Sequence, residues 1–213
     1  MSSKTVLKVA VGVAAIGVLG VLFVRSARSV GSEPYTIARG HLAPWTLATA
    51  VSSGVVLSLV PPPSLAPPLF SQVFTRSGVS LSGPSPVSMP LLLGSEFNQT
   101  LTGLLAPEAL LALARAAGLE SAPPVPLCMA TRRVSQPGST REVFFVRFEL
   151  PSFDAFRQQV SQQVRAAGGN VARFDPAGLS PVVIIAASDN GFGSWLPLRV
   201  EAATDCLAPI AVQ

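Results

Sequence analysis

Residue types that commonly perform chemistry are sparse in this sequence. The single histidine, His41, lies in the run Gly40-His-Leu-Ala-Pro44 and is far in sequence from any cluster of acidic residues. A Ser-His-Asp triad, or a zinc site that uses imidazole, would have to be built around it. The chain also contains none of the GxSxG, HExxH, P-loop and SxxK motifs. We therefore predict no catalytic residue, no metal site and no cofactor, which favours a non-catalytic protein over an enzyme.

Two acidic groupings offer alternatives, and each is better explained as local structure. An odd number of positions separates Glu142 from Glu149, so a strand places them on opposite faces, unlike the paired carboxylates of an acid–base site. The run Asp189-Asn-Gly-Phe-Gly-Ser194 resembles a phosphate or calcium loop in its glycines. It lacks the lysine of a P-loop and the alternating acids of a calcium loop, so a turn is favoured.

Basic side chains gather on one predicted hairpin: Arg132, Arg133, Arg141 and Arg147. Guanidinium groups on one surface suit an acidic partner or lipid headgroups. The alternative is a solvated strand face, on which the arginines pair with Glu142 and Glu149. The sequence favours this second interpretation, and we keep the four arginines as candidates for partner or headgroup contact.

The two cysteines, Cys128 and Cys206, fit neither a zinc pattern nor a CxxC redox motif. In an oxidising compartment a bond between them would stabilise the fold by about 4 kcal/mol in the chain-entropy model. If the chain is exported, we expect this disulfide. The alternative is two separate thiols, each packed as a small apolar residue.

The most apolar part of the chain is the sixteen-residue stretch from Val9 to Val24, which contains no polar side chain. Thr5 to Leu7 extend it, because Lys8 can place its ammonium at the membrane interface. A helix of about twenty residues spans the roughly 30 Å hydrocarbon layer of a bilayer. The stretch ends in Phe23-Val24-Arg25 rather than in the small residues of a cleavage site. We expect an uncleaved anchor, with a cleaved signal as the alternative.

Charge is distributed unevenly between this stretch and the remaining chain. The formal net charge is +4, and four of the fifteen basic residues flank the apolar stretch: Lys4, Lys8, Arg25 and Arg28. Eleven basic and eleven acidic residues follow, so the rest is neutral. A nucleic-acid interface needs a basic excess, so nucleic-acid binding is not expected. The basic flanks balance across the span, and the short N-terminal tail favours a cytoplasmic N terminus.

Apolar segments separated by Pro, Ser and Gly follow the anchor up to residue 95 and indicate short strands. The predicted strands are Val55–Val60, Phe70–Arg76, Val79–Leu81 and Val87–Leu93.

From residue 96 the pattern alternates between helix and strand. We expect a helix from Pro107 to Gly118, a hairpin of Leu127–Val134 with Arg141–Leu150, and strands at Val182–Ala187 and Leu196–Ala202. Between them lies a helix with Ser152 as its cap and an apolar stripe at helical spacing: Phe153, Phe156, Val160, Val164 and Ala167. Its polar face comprises the glutamines with Arg157 and Arg165.

These elements predict three segments and an α+β fold. Residues 1–28 are a membrane anchor with basic flanks, 29–95 a β-rich juxtamembrane Pro/Ser/Gly segment, and 96–213 an α-β-β-α-β(-β) domain. Its sheet would be antiparallel or mixed, and a ferredoxin-like layout fits the element order.

The functional prediction is a single-pass protein with a non-catalytic body in the periplasm or outside the cell. It would be a structural or interaction protein of the cell envelope, bound to the bilayer through Val9–Val24 and to a protein partner. The alternatives are a membrane-anchored hydrolase with an unrecognised active site and a module that binds lipid or a small molecule.

Overall fold

The computed structural model describes residues 33–49, 54–200 and 205–213, so the predicted anchor Val9–Val24 lies outside the described residues. The strands are β1 (Tyr35–Ile37), β2 (Thr46–Thr49), β3 (Val55–Val60), β4 (Met89–Leu93), β5 (Val125–Gln136), β6 (Ser139–Glu149), β7 (Val182–Ala187) and β8 (Cys206–Val212). The α-helices are α1 (Ala66–Ser77), the single turn α2 (Gly94–Glu96), α3 (Pro107–Ala116) and α4 (Pro151–Ala166). Within these ranges no helix has the length and apolar composition needed to cross a bilayer.

The strands form two sheets, which makes the fold α+β. One sheet has five strands in the order β1-β8-β5-β6-β7, and it is mixed because β1 runs parallel to β8 while the other pairs are antiparallel. The other is antiparallel, with three strands in the order β2-β3-β4. The structure therefore contains both kinds of sheet that the sequence allowed.

The strand order differs from the ferredoxin-like layout that the sequence suggested. That layout places a strand between the two strands joined by a helix, which then run parallel. Here β6 and β7 flank α4 in the chain, yet they are direct neighbours and antiparallel. The order of elements along the chain does not determine which strands pair, so the sequence pattern was compatible with both arrangements.

Within the described residues, a unit of two strands, a helix and a third strand occurs twice. The first unit is β2-β3-α1-β4 and the second is β5-β6-α4-β7. In both, the middle strand of the unit pairs antiparallel with the strands on either side of it. A proline follows each middle strand closely (Pro61 and Pro151), because its missing N–H suits a strand end or a helix start but not a ladder.

Both predicted segments after the anchor contribute to one large hydrophobic core. The core contains Leu57 and Leu59 of β3 and Leu69 of α1 together with side chains of β6 and α4. Strand β1, from the predicted juxtamembrane segment, joins the five-stranded sheet by pairing with β8 near the end of the chain. The residues on either side of position 95 are therefore packed together rather than separated.

The predicted hairpin is confirmed, and the side chains of its second strand alternate between two faces. Phe144, Val146 and Phe148 of β6 pack in the large core. Val143 and Phe145 face the other way into a smaller cluster, where the chain around Trp195 covers them. Because both faces of the sheet are covered, β7 is buried along its whole length, as its unbroken apolar sequence indicated.

Several local predictions need correction. Phe70–Arg76 belongs to α1 rather than to a strand, since Leu69 and Val73 are four residues apart and share a buried helix face. Strand Val87–Leu93 begins only at Met89. Helix α4 begins at Pro151, and Ser152 makes no cap.

The chain contains no regular strand at Val79–Leu81 or in the described part of Leu196–Ala202, and Cys206–Val212 forms the last strand instead. Pro197 removes a ladder donor from the second of these segments.

Candidate functional site

The β5–β6 hairpin extends beyond the rest of its sheet. The two strands pair with each other from Val125 opposite Glu149 to Gln136 opposite Ser139. Strand β8 pairs with β5 only at residues 128–130, and β7 pairs with β6 only at residues 143–147. Residues 131–142 therefore form a two-stranded projection, which we call the arm. Gly138 closes its turn with φ 81°, a conformation that favours glycine.

Arg133 lies on the exposed part of the arm. Its Nη2 donates to Glu142 at 2.9 Å, and the same carboxylate accepts a hydrogen bond from the Thr131 hydroxyl at 3.1 Å. The Arg133 side chain is nevertheless 63% exposed, so this pair contributes little to stability. Because one N–H group is used in the pair, most of the guanidinium remains accessible to a partner.

Arg132 and Arg141 hold the base of the arm to the body. Arg132 Nη2 donates to the backbone oxygen of Arg199 at 2.6 Å and to Asp205 at 3.1 Å. On the other strand, Arg141 donates to Asp189 at 2.5 Å and to the Ser194 hydroxyl at 2.7 Å. These contacts fix where the arm leaves the sheet.

The turn that receives Arg141 is ordered by the same ion pair. The Arg141 guanidinium lies 4.8 Å from the centre of the Trp195 ring, and the Gly191 N–H donates to Asp189 at 2.8 Å. The hydrogen bond from Arg141, more than any other contact, holds the pKa of Asp189 below its ordinary value. The run 189–194 is thus an ordered turn, in agreement with the turn predicted there. Its one acidic side chain, Asp189, is bound by Arg141 and the Gly191 N–H.

A disulfide joins β5 to β8 beside the arm. Cys128 and Cys206 are bonded, with their Cα atoms 5.8 Å apart. Cys128 belongs to the cluster that contains Trp195, so the bond closes the sheet face next to the base of the arm. An isolated two-stranded hairpin is only marginally stable in water. The disulfide and the ion pairs of Arg132 and Arg141 therefore position an element that would not be rigid alone.

The four candidate arginines do not form one surface. Cross-strand partners share a face, so Arg132, opposite Val143, faces the side of the Trp195 cluster, whereas Arg133 faces the other side. Arg147 lies at the opposite end of β6, next to an open depression of about 540 Å³ that Asp154 also lines. Sequence proximity grouped these residues, and the length of the strands separates them.

The sequence reasoning missed a buried ion pair. Arg157, predicted on the polar face of α4, is fully buried and forms a bidentate pair with Glu96 at 2.6 and 3.3 Å. Its remaining N–H groups donate to the backbone oxygens of Leu91, Asp175 and Pro176. The signal was present, because position 157 lies four residues after Phe153 and three before Val160, within the apolar stripe. All five donors are used, so this arginine is structural.

The other candidates for chemistry remain apart. His41 lies in the short 3-10 turn Arg39–His41, and its Nδ1 is buried without a hydrogen-bond partner among the described residues. Across the described ranges no group of three or more His, Cys, Asp or Glu side chains could hold a metal ion. A cleft of about 310 Å³ lies beside β7. Its wall combines apolar side chains with polar ones: Pro84, Pro86, Pro90, Ile184, Phe192 and Leu196 with Ser85, Ser88 and Asn190.

Comparisons of this chain with protein-family models, with curated proteins and with solved structures find no match.

Proposed function

We propose that this chain is a single-pass, membrane-anchored interaction protein of the cell envelope, with residues 33–213 outside the cytoplasm. The anchor rests on the apolar stretch Val9–Val24, and the charge balance of the later residues argues against nucleic acid as the partner. The function is then to hold a folded body at a membrane and to present a binding element to other envelope components.

The observation that supports the interaction role best is the β5–β6 arm. It projects past its neighbouring strands, and residues 133–140 within it are exposed. Its base is held by a disulfide and by ion pairs on both strands. A projecting hairpin with a rigid base and an accessible arginine offers backbone and guanidinium groups that a partner can bind.

The disulfide supports the assignment of compartment. Such bonds persist in oxidising environments and are rare in a reducing cytosol. Cys128 and Cys206 are the only cysteines of the chain, and both are used. Export of the body would therefore protect the one covalent link between β5 and β8.

Fractionation combined with thiol labelling tests this proposal. In cells that express the full chain, we expect it in the membrane fraction, resistant to salt extraction. Without reductant it should not react with a maleimide reagent, and after reduction it should gain two labels. A chain in the soluble fraction, or two thiols reactive without reductant, would contradict the proposal. The Cys128→Ser variant is the control, because its remaining thiol must react without reductant if the reagent reaches it.

A second candidate function, a small-molecule binding module, is favoured by the cleft beside β7. Its volume of about 310 Å³ is at the lower end of the range for ligand pockets, and prolines with Phe192 form much of its wall. Binding of a panel of apolar ligands, measured by a thermal shift of the purified protein, tests this candidate. A Gly193→Trp variant, which adds a large side chain at the cleft wall, should lose any such shift.

A further inference from the structure

The direction of β1 fixes which end of the body lies nearest to the proposed anchor. Strand β1 begins at Tyr35, which pairs with Ile210 in parallel with β8. Cys206, at the start of β8, pairs with Ala130 of β5, and β5 runs on from there into the arm. The arm therefore projects from the end of the sheet at which the chain enters from residues 1–32.

The residues that enter the body are firmly attached to it. The Gln72 side chain of α1 accepts from the Thr36 N–H at 2.9 Å and donates to the Thr36 carbonyl oxygen at 2.8 Å, as a neighbouring strand would. One turn later, Arg76 donates to the backbone oxygens of Glu33 and Pro34 at 2.7 and 3.0 Å. Eight residues, 25–32, therefore separate the proposed anchor, which ends at Val24, from the attached residues of the body.

Length places the arm within reach of a membrane. Strand geometry puts the turn of the arm about 36 Å beyond Tyr35 along the sheet, from four residues of β8 and seven of β5 at about 3.3 Å each. The eleven residues from Val24 to Tyr35 span at most about 38 Å when fully extended. A bilayer that holds Val9–Val24 therefore lies at most about as far from Tyr35 as the tip of the arm does.

The arm exposes an apolar side chain beside its accessible arginine. Among the described residues, five large apolar side chains are exposed: Phe74, Val79, Val125, Val134 and Val212. Val134 lies on the arm next to Arg133, whereas Phe74 lies near the C-terminal end of α1 and Val79 just after it. Val125 and Val212 lie at the end of the sheet opposite the arm. Apolar groups next to arginine are the combination that interfacial membrane surfaces use.

We propose that the outer part of the arm, defined by Arg133, Val134 and the turn at 137–138, rests on the lipid surface, where Arg133 contacts anionic headgroups. The inference depends on the proposed function, because it requires the anchor to span the bilayer. Arg133 has accessible N–H groups, whereas Arg132 and Arg141 are occupied at the base of the arm. Arg147, at the opposite end of β6, takes no part in this surface.

Hydrogen–deuterium exchange of the full chain in lipid nanodiscs tests the inference. One set of discs contains phosphatidylcholine alone, and the other also contains phosphatidylglycerol. We expect peptides from residues 132–142 to exchange about fivefold more slowly in the anionic discs, the effect of one arginine near a charged surface. Peptides from residues 176–181, at the opposite end, should not change. Arg133→Gln should abolish the difference, and the matched variant Arg147→Gln should retain it.

The possible failures are distinguishable. If the chain does not remain with the discs, both the anchor and this inference are wrong. If it remains but the arm exchanges equally in the two lipids, headgroup contact is wrong while the anchor stands. If residues 176–181 are slowed instead of the arm, the orientation is the reverse of the one proposed.

Discussion

The two ββαβ units share one topology and differ sharply in charge. Residues 46–93, which contain the first unit, include a single charged side chain, Arg76. Residues 125–187, which contain the second, include eleven: Arg132, Arg133, Arg141, Glu142, Arg147, Glu149, Asp154, Arg157, Arg165, Arg173 and Asp175. The first unit packs side chains of β3, α1 and β4 into the core, whereas the second contributes to the core and also forms an exposed arm. The two units therefore share one strand order, but only the second projects a hairpin into solvent.

The contrast in strand length has a physical basis. In the first unit β2 and β3 pair over four positions, and both strands consist of small and apolar residues. In the second, β5 and β6 continue pairing past their neighbours, and polar residues replace apolar ones where the covering ends. A hairpin can extend into water only where its sequence tolerates exposure on both faces. The change in composition at residue 131 therefore marks where the sheet ends and the arm begins.

The largest loss of stability is expected when the buried ion pair that links the two units is removed. Arg157 of the second unit bonds to the Leu91 oxygen of the first and to Glu96 just after it. Arg157→Leu should lower the free energy of unfolding by about 3–5 kcal/mol, because it leaves Glu96 without its buried cation. Urea denaturation of the purified body measures this. The exposed Arg165→Leu on the same helix is the control, and an equal loss in both would contradict a specific role.

A smaller loss is expected when the disulfide is removed. Cys128→Ala with Cys206→Ala should reduce stability by about 2–4 kcal/mol, since the unfolded chain is no longer closed into a loop. Because the bond lies at the base of the arm, amide exchange should accelerate first in residues 131–142. Uniform acceleration across both units would instead show that the bond stabilises the whole body and not the arm in particular.

A still smaller loss of stability is expected when the hydrogen bonds that attach β1 to α1 are removed. Gln72→Leu removes both hydrogen bonds to the Thr36 backbone and should cost about 1–3 kcal/mol, because part-buried backbone groups are left unsatisfied. Exchange of the Thr36 amide, measured by NMR, should increase with the rest of the sheet unchanged. Ser71→Leu changes the preceding, exposed residue of α1 and should leave exchange of the Thr36 amide slow. If the Thr36 amide exchanged equally slowly in Gln72→Leu, the Gln72 side chain would not be what protects it.

The smallest effect is a pH dependence at the base of the arm. The pKa of Asp189 is lowered from its ordinary value of 3.8, chiefly by the hydrogen bond from Arg141. Its contribution to stability is therefore fully present above 3.8 and is lost as the pH falls through the lower pKa of the folded state. Arg141→Gln should raise the Asp189 pKa toward 3.8, measured by NMR titration of the carboxyl carbon. If the Asp189 carboxyl titrated at the same pH in Arg141→Gln, the hydrogen bond from Arg141 would not be the cause of its lowered pKa.

The units also show where sequence patterns succeed. The boundaries of β3 and β7 were predicted to the residue, because runs of β-branched and apolar residues, interrupted only by Ser58 in β3, end at proline, glycine or polar residues. Helix α1 was missed although Phe70, Val73 and Phe74 lie at helical spacing, because the segment 70–76 is only seven residues long and is rich in residues that favour strands. Arg157 was misplaced because a charged residue was assumed to be exposed, although its helical position lies in the apolar stripe.

By itself the sequence determined the apolar stretch Val9–Val24, the neutral charge of the later residues, the hairpin, the helix at α4 and the α+β class. These features depend on composition and on periodicity within a single segment, which neighbouring residues fix. Only the tertiary structure decided the pairing of β1 with β8, the bond between Cys128 and Cys206, the burial of Arg157 against Glu96 and the separation of Arg147 from the arm. Each of these joins residues distant in the chain, and such contacts arise from packing of whole elements that no local pattern specifies.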